Sequence, residues 1–310
     1  MFKRIRGMIL LLLTALIWGT AFVAQSESMR YVQPFTYNCL RALLGGAVLI
    51  PVIFLFRGMK RGTDAKPADR RMTVIGGLCC GVMLCIASAF QQAGVAKTTA
   101  GKAGFITALY VILVPLIGLF TRKKPPAVIW LCAAAAIAGF GLLCISEDFS
   151  LGLGDLLVLC CTLFFALHII TVDFFCERAV DPTAMSCIQF FTAAALHAVG
   201  MQLFEEPHFA DICAARNQIL YAGILSSGVA YTLQIFGQRE TPPTLATLVL
   251  SLESVFAALS GWLILHERLS LRELLGCALV LAAVIAAQLL TAGKQEQNAG
   301  GHENPQPPAG

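Results

Sequence analysis

The chain has 310 residues, 57% of them hydrophobic and 13% charged, with a mean hydropathy of +0.76 and a formal net charge of +4. That apolar share exceeds what a water-soluble domain carries, and the Lys and Arg residues are scattered between apolar runs, which argues against a soluble globular protein and against a nucleic-acid partner. Most of the 12 cysteines also sit inside apolar runs, with no Cys-x-x-Cys pair and no His-rich cluster, so no disulfide framework, metal or cofactor is expected.

The N-terminus, Lys3-Arg4-Ile5-Arg6 ahead of Met8 to Ala24, has the flank and apolar run of a signal peptide. A cut after Ala24 would place bulky Phe22 where a small residue is wanted, so the segment reads as a retained first span. Charge, Pro and polar clusters then punctuate apolar runs at 8–25, 35–56, 73–93, 103–120, 127–145, 153–175, 184–204, 218–236, 244–265 and 272–291. Each approaches the roughly 20 residues that cross a bilayer as helix, so an all-α integral membrane fold of ten transmembrane helices is expected. Residues 293–310, rich in Gly, Gln, Asn and Pro, are expected to form a disordered cytoplasmic tail.

Positive residues are retained on the cytoplasmic side. With the N-terminus inside, that side holds Lys3, Arg4, Arg6, Arg57, Lys60, Arg61, Lys66, Arg70, Arg71, Arg122, Lys123, Lys124, Arg178, Arg239 and Lys294. The other side holds only Arg30, Lys97, Lys102, Arg216, Arg268 and Arg272, so both termini should be cytoplasmic. Glu205, Glu206 and Asp211 fit an exterior loop from Glu205 to Asn217.

Sliding the chain against itself by about 146 residues brings two halves into register. Leu13–Val23 falls over Leu159–Ile169, with Trp18 over Phe164 and Phe22 over His168. Pro34–Val48 falls over Pro182–Leu196, which matches Cys39 with Cys187 and sets Arg41 against Gln189. Arg122-Lys123-Lys124 falls over His266-Glu267-Arg268. An odd number of spans per unit turns the second copy upside down, so residues 1–148 and 149–292 are expected as inverted five-helix repeats around a midplane site.

Leu11 to Val23, Arg41 early in the second span, Leu153-Gly154-Asp155-Leu156-Leu157 opening the sixth, and Leu245 to Glu267 followed by Arg268 and Gly276 resemble the EamA-type members of the drug/metabolite transporter superfamily. The resemblance covers roughly residues 8–291 and implies ten helices, a bacterial plasma-membrane location and export of amino acids or related metabolites and drugs. Two departures stand out. Arg122-Lys123-Lys124 replaces the acidic-basic pair expected after the fourth span, and Ser251, Glu253 and Ser254 stand where the family pattern has a Pro in the ninth.

Ionisable groups at membrane depth are costly and usually face a bundle interior or a water-filled path. Arg41, on one face with Tyr37 and Gly45, can fix an anionic group or can snorkel and pin a helix. Glu253 can bind a cationic group or carry a proton, or it can sit as a carboxyl bonded to hydroxyls such as Ser227 or Thr107. His168 can belong to the site or be a satisfied packing residue. Polar stripes on the third and eighth spans include Gln91 and Gln234 at equivalent depths, and Trp18, Phe22 and Phe164 can wall a site or simply pack.

The expected function is therefore a secondary transporter of small metabolites working by alternating access, with the bilayer, a small-molecule substrate and a coupling proton or ion as partners and a homodimer compatible with the pattern. Multidrug or nucleoside and nucleotide-sugar transport are the alternatives within the same class. A channel would use the same polar stripes, whereas an intramembrane enzyme would need a nucleophile, base or metal motif that is not found. No Gly-rich Lys-Ser/Thr loop for ATP is present in the sequence either.

Overall fold

A backbone N–H or C=O in hydrocarbon finds no water, so a run that crosses a bilayer satisfies itself as helix. The computed structural model describes residues 2–60, 69–117, 128–144, 151–176, 178, 180–241 and 249–300, and among these there is no strand. In chain order the helices are α1 Phe2–Ser28, α2 Pro34–Lys60, α3 Arg70–Val95, α4 Ala100–Ala108, α5 Tyr110–Ile117, α6 Val128–Cys144, α7 Leu153–Cys176 and α8 Pro182–Phe204. They continue as α9 Phe209–Ala214, α10 Arg216–Leu220, a π-helical segment Tyr221–Val229, α11 Ala230–Glu240, α12 Glu253–Leu265 and α13 Leu271–Gly300.

Among the described residues, five helices are long and apolar enough to cross a membrane: Ile5–Ser28, Pro34–Leu55, Arg70–Val95, Leu153–Cys176 and Pro182–Phe204. Shorter apolar helices cover Ala100–Val114, Trp130–Leu143 and Glu253–Leu265. Phe54, Leu131, Ile137, Leu203 and Trp262 project outward from helices whose other faces are packed. Such a surface suits lipid and would drive association in water.

Several expected spans are less regular than their composition suggests. The fourth turns at Leu109, whose N–H bonds Ile106 O at 3.1 Å and parts α4 from α5. The eighth contains the π segment, where the wider turn leaves carbonyls free for neighbours, and such segments often lie at functional sites. The ninth is interrupted at Ser251–Leu252, so Glu253 is the first residue of α12 and not the middle of a helix. The connection from Glu205 to Asn217 winds into α9 and the start of α10. The expected tail begins as helix, since α13 runs to Gly300 through Lys, Gln, Glu and Ala, which readily extend a helix already nucleated. Arg122–Lys124 and residues 242–248 and 301–310 lie outside the described residues.

Small residues bring the helix backbones together, as expected where lipid supplies no hydrophobic drive between helices. Gly94 of α3 meets Gly154 and Val158 of α7, and Gly237 of α11 meets Gly7 and Leu11 of α1. Gly139 of α6 and Gly276 of α13 face each other's carbonyls. Gly81 of α3 lies on Gln189 O of α8, and Gly223 of the π segment lies on Arg41 O of α2. The remaining close pairs are α2 with α8, α4 with α12, α1 with α12, and α7 with both α4 and α5.

The end of the bundle opposite the N-terminus, here the distal end, is closed by side chains that reach across helices. Glu205, expected as a loop charge, is buried and accepts Phe35 N, Thr36 N and the Thr36 hydroxyl, each at 2.7 Å, which caps α2. Glu267 accepts Ala100 N at 2.7 Å and Gly101 N at 3.2 Å, capping α4 from the far end of α12. A carboxylate at a helix N-terminus satisfies orphan donors and the positive end of the dipole together.

Candidate functional site

Pro34 opens α2 and Arg41 follows two turns later, inside the bundle. Its guanidinium carbon lies 5.5 Å from the centroid of the Tyr37 ring, and Tyr37, Tyr231 and His197 are its electrostatic neighbours. Among the described residues no carboxylate lies within ion-pair reach of Arg41 and no acceptor takes its protons. A guanidinium carries five donors, and holding them unmet away from water is expensive.

Glu253 presents the complementary case. Its residue is 7% exposed, and no described donor bonds its carboxyl group. The expected hydroxyl partners are engaged elsewhere: Ser227 packs against Gly45, and Thr107 accepts from Gln91 at 3.4 Å. Ser254 Oγ donates to Ser251 O at 3.0 Å and fixes the turn that presents Glu253, at the place where the family pattern has a Pro. Gly19 lets α1 close onto this turn, since a Cβ there would stand 2.6 Å from Glu253 O.

Tyr231, near the start of α11, connects the two charges, being an electrostatic neighbour of both Arg41 and Glu253. Its ring meets Trp18 edge-on at 5.4 Å and Phe190 at 5.3 Å. The Trp18 indole donates to Ser226 O at 3.0 Å, within the π segment. Tyr110 of α5 is a further neighbour of Glu253 and Tyr231. Helices α1, α2, α5, α8, α11 and α12 thus bring a cation, a carboxyl, three phenols and an indole into one interior region.

The sequence singles out Trp18, Arg41 and Glu253 of this set, but neither Tyr110 nor Tyr231. The one available signal is that the chain has only 5 tyrosines, two of them inside apolar runs away from the ends. The other candidates lie apart. His168 Nε2 and Gln189 Oε1 close on each other at 2.9 Å, buried between α7 and α8. Phe22 is buried in the largest apolar core with Phe105 and Ile106. Gln91 pairs with Thr107, and Gln234 is half-buried on α11. A crevice of about 550 Å³ between α3 and α7, lined by Cys79, Val82, Met83, Ile170, Thr171, Phe174 and Phe175, holds none of these groups. No cluster of metal-ligating side chains occurs among the described residues.

The model of the EamA-like transporter family matches this sequence at residues 5–146 and again at 152–287. A protein of Archaeoglobus fulgidus named an uncharacterized transporter is 30% identical over 293 residues, covering 93% of this chain and 87% of the relative. The Bacillus subtilis uncharacterized transporter YoaV is 22% identical over 90% of this chain and 96% of its own length. A solved structure, described only as that of a protein, shares the fold with a TM-score of 0.60 and 21% identity over 93% of this chain and 98% of the other.

Proposed function

The chain belongs to the EamA-like transporter family, and on that premise we propose that it is a secondary transporter of small metabolites bearing both charges, of the amino-acid type. The observation that carries this reading is the pair of opposite, mutually unbonded charges, Arg41 and Glu253, each an electrostatic neighbour of Tyr231. Arg41 would take a carboxylate bidentately, while Glu253 takes an ammonium or carries a proton in its place. Trp18 and Tyr231 would cover the intervening apolar part. The family and the names of the relatives indicate a transporter rather than an enzyme.

The same reading takes the fold as ten spans in two inverted halves, 1–148 and 149–292, rocking about this site to expose it to each side in turn. Its support lies in the helix pairs. Exchanging each span with its counterpart five later converts α3 with α7 into α11 with α1, α3 with α8 into the π segment with α2, and α4 with α7 into α12 with α1. The pairs α2 with α8, α4 with α12 and α6 with α13 map onto themselves. A pseudo-two-fold relation requires this pattern. The plasma membrane, cytoplasmic termini and outward transport complete the proposal, following the basic bias of the connections and the family pattern.

Counterflow in proteoliposomes tests the reading. A preloaded amino acid should drive saturable exchange of labelled substrate, and analogues lacking either the amine or the carboxylate should fail to compete. Non-saturating flux would replace the carrier with a channel, and equal competition by singly charged analogues would reject the two-charge site.

A further inference from the structure

We propose that the distal half of the bundle holds a monovalent alkali cation among the neutral oxygens of Gln25, Tyr37, Asn38 and Gln92, in a site separate from Arg41 and Glu253. These residues come from α1, α2 and α3, are 0–4% exposed, and each has a buried oxygen with no hydrogen-bond partner among the described residues.

In Asn38 and Gln92 the free atom is the oxygen because the amide nitrogen is already committed. Asn38 Nδ2 donates to Ser88 O at 2.9 Å, and Gln92 Nε2 donates to Gln25 O at 3.0 Å. Turning either amide over would set oxygen against carbonyl oxygen, so the partners fix the orientation. Ser28 Oγ donates to the same Gln25 O at 2.7 Å and also lies beside the Tyr37 hydroxyl. Ser88 and Gln92 stand one turn apart on α3, so these contacts join the four residues into a single layer.

His197 of α8 borders that layer through Ser88: Ser88 Oγ lies 2.7 Å from Leu84 O and 2.8 Å from His197 Nε2, and the buried His197 Nδ1 has no partner among the described residues.

Several buried acceptors left unmet in one layer would cost a large part of a protein's net stability. An anion cannot answer the three amide oxygens, because they present only lone pairs. A cation answers several at once, and an all-neutral set of amide and hydroxyl oxygens suits a single positive charge better than a divalent ion, which draws carboxylates. Two charged side chains near the N-terminal half of α2 pull in opposite senses. Glu205 at its N-terminus attracts the ion, and Arg41, one turn proximal of Tyr37, repels it.

Thermal unfolding of the purified full-length protein at constant ionic strength tests this in lithium, sodium, potassium, ammonium and N-methylglucamine chlorides. One alkali ion should raise the midpoint saturably over N-methylglucamine, as a ligand of the folded state does. Asn38→Leu or Gln92→Leu should raise the half-effect concentration by at least about tenfold, and Glu253→Gln should leave it unchanged. If the leucine variants do not fold, Arg41→Gln decides, because removing the repelling charge should lower the half-effect concentration. Equal midpoints in all five salts, stabilisation by ammonium alone, or an Arg41→Gln shift to weaker binding would each overturn the site. Because the readout is stability, failure here leaves the transport reading standing, and failed counterflow leaves this site standing.

Discussion

Arg41 on α2 and Gln189 on α8 hold matching places in the two halves, and the backbone treats them alike. A glycine of the neighbouring helix lies on each carbonyl, Gly223 on Arg41 O and Gly81 on Gln189 O. Their side chains differ completely. Gln189 is closed by His168 at 2.9 Å, whereas Arg41 lies over the face of Tyr37 and has no acceptor for its donors among the described residues. Gln189 is closed into packing by a neighbouring side chain, and Arg41 is not. A shared scaffold therefore does not imply a symmetric site.

The comparison breaks most decisively at the charges. Arg41→Ala and Glu253→Gln should each lower kcat/KM for transport by at least about 100-fold, equivalent to losing about 2.7 kcal/mol of interaction. Their melting temperatures should hold or rise, because an uncompensated charge that is buried, as at Glu253, or half-buried, as at Arg41, destabilises the fold that contains it. Near-normal uptake in either variant would return Arg41 or Glu253 to a packing role. His168→Phe, which installs the residue found at the matching position 22, should keep transport within about twofold.

Next in size are the glycine contacts that make the halves alike. Gly94→Val and Gly237→Val insert side chains at equivalent crossings, one against Gly154 and Val158 and the other against Gly7 and Leu11. Both should lose about 1–3 kcal/mol to overpacking, read as matching drops in thermal midpoint. A large drop at one crossing with none at the other would argue against the pseudo-two-fold relation.

Much of the fold was legible because apolar runs are cleanly separated by charge and Pro. Pro34 and Pro182 mark helix starts, and Asp181 caps α8 by accepting Thr183 N at 3.1 Å. The site was legible only where it carried charge. Lipid-facing and interior positions are both apolar, so no hydrophobic period tells which side Tyr110 or Tyr231 faces, and both escaped notice. The break before Glu253 was hidden because Ser251 and Ser254 make it through a side chain to backbone bond, with no Pro or Gly to mark it. The role of Glu205 was hidden for a related reason: a carboxylate in a polar connection does not show from sequence which helix it caps.

A smaller effect separates the satisfied half from the open one. His168→Phe alone leaves the Gln189 amide without its partner, and Gln189→Leu alone strands the His168 ring, so each should cost about 1–3 kcal/mol. The double variant His168→Phe with Gln189→Leu removes both polar groups and should recover most of that loss. Additive losses would mean that each residue has a separate role and that the second half is not closed.

The smallest effect concerns the distal closure. Glu267 is set by His266, which has a left-handed φ of 55° at the end of α12 and turns the chain so that the carboxylate reaches Ala100 N and Gly101 N. Gly261 makes room for it, since an added Cβ would collide with that carboxylate. Glu267→Gln keeps the shape and one acceptor oxygen but loses the charge that complements the α4 N-terminus, so it should cost only about 0.5–2 kcal/mol. Because α4 and α12 belong to opposite halves, that small loss should fall on the closed distal end alone. A cysteine at the half-buried Thr99 position should then react faster with a membrane-impermeant maleimide in Glu267→Gln than in its absence, while one at the proximal Arg6 position should react at the same rate in both. Equal acceleration at the two ends would mean that Glu267 supports the whole bundle instead of holding one end shut.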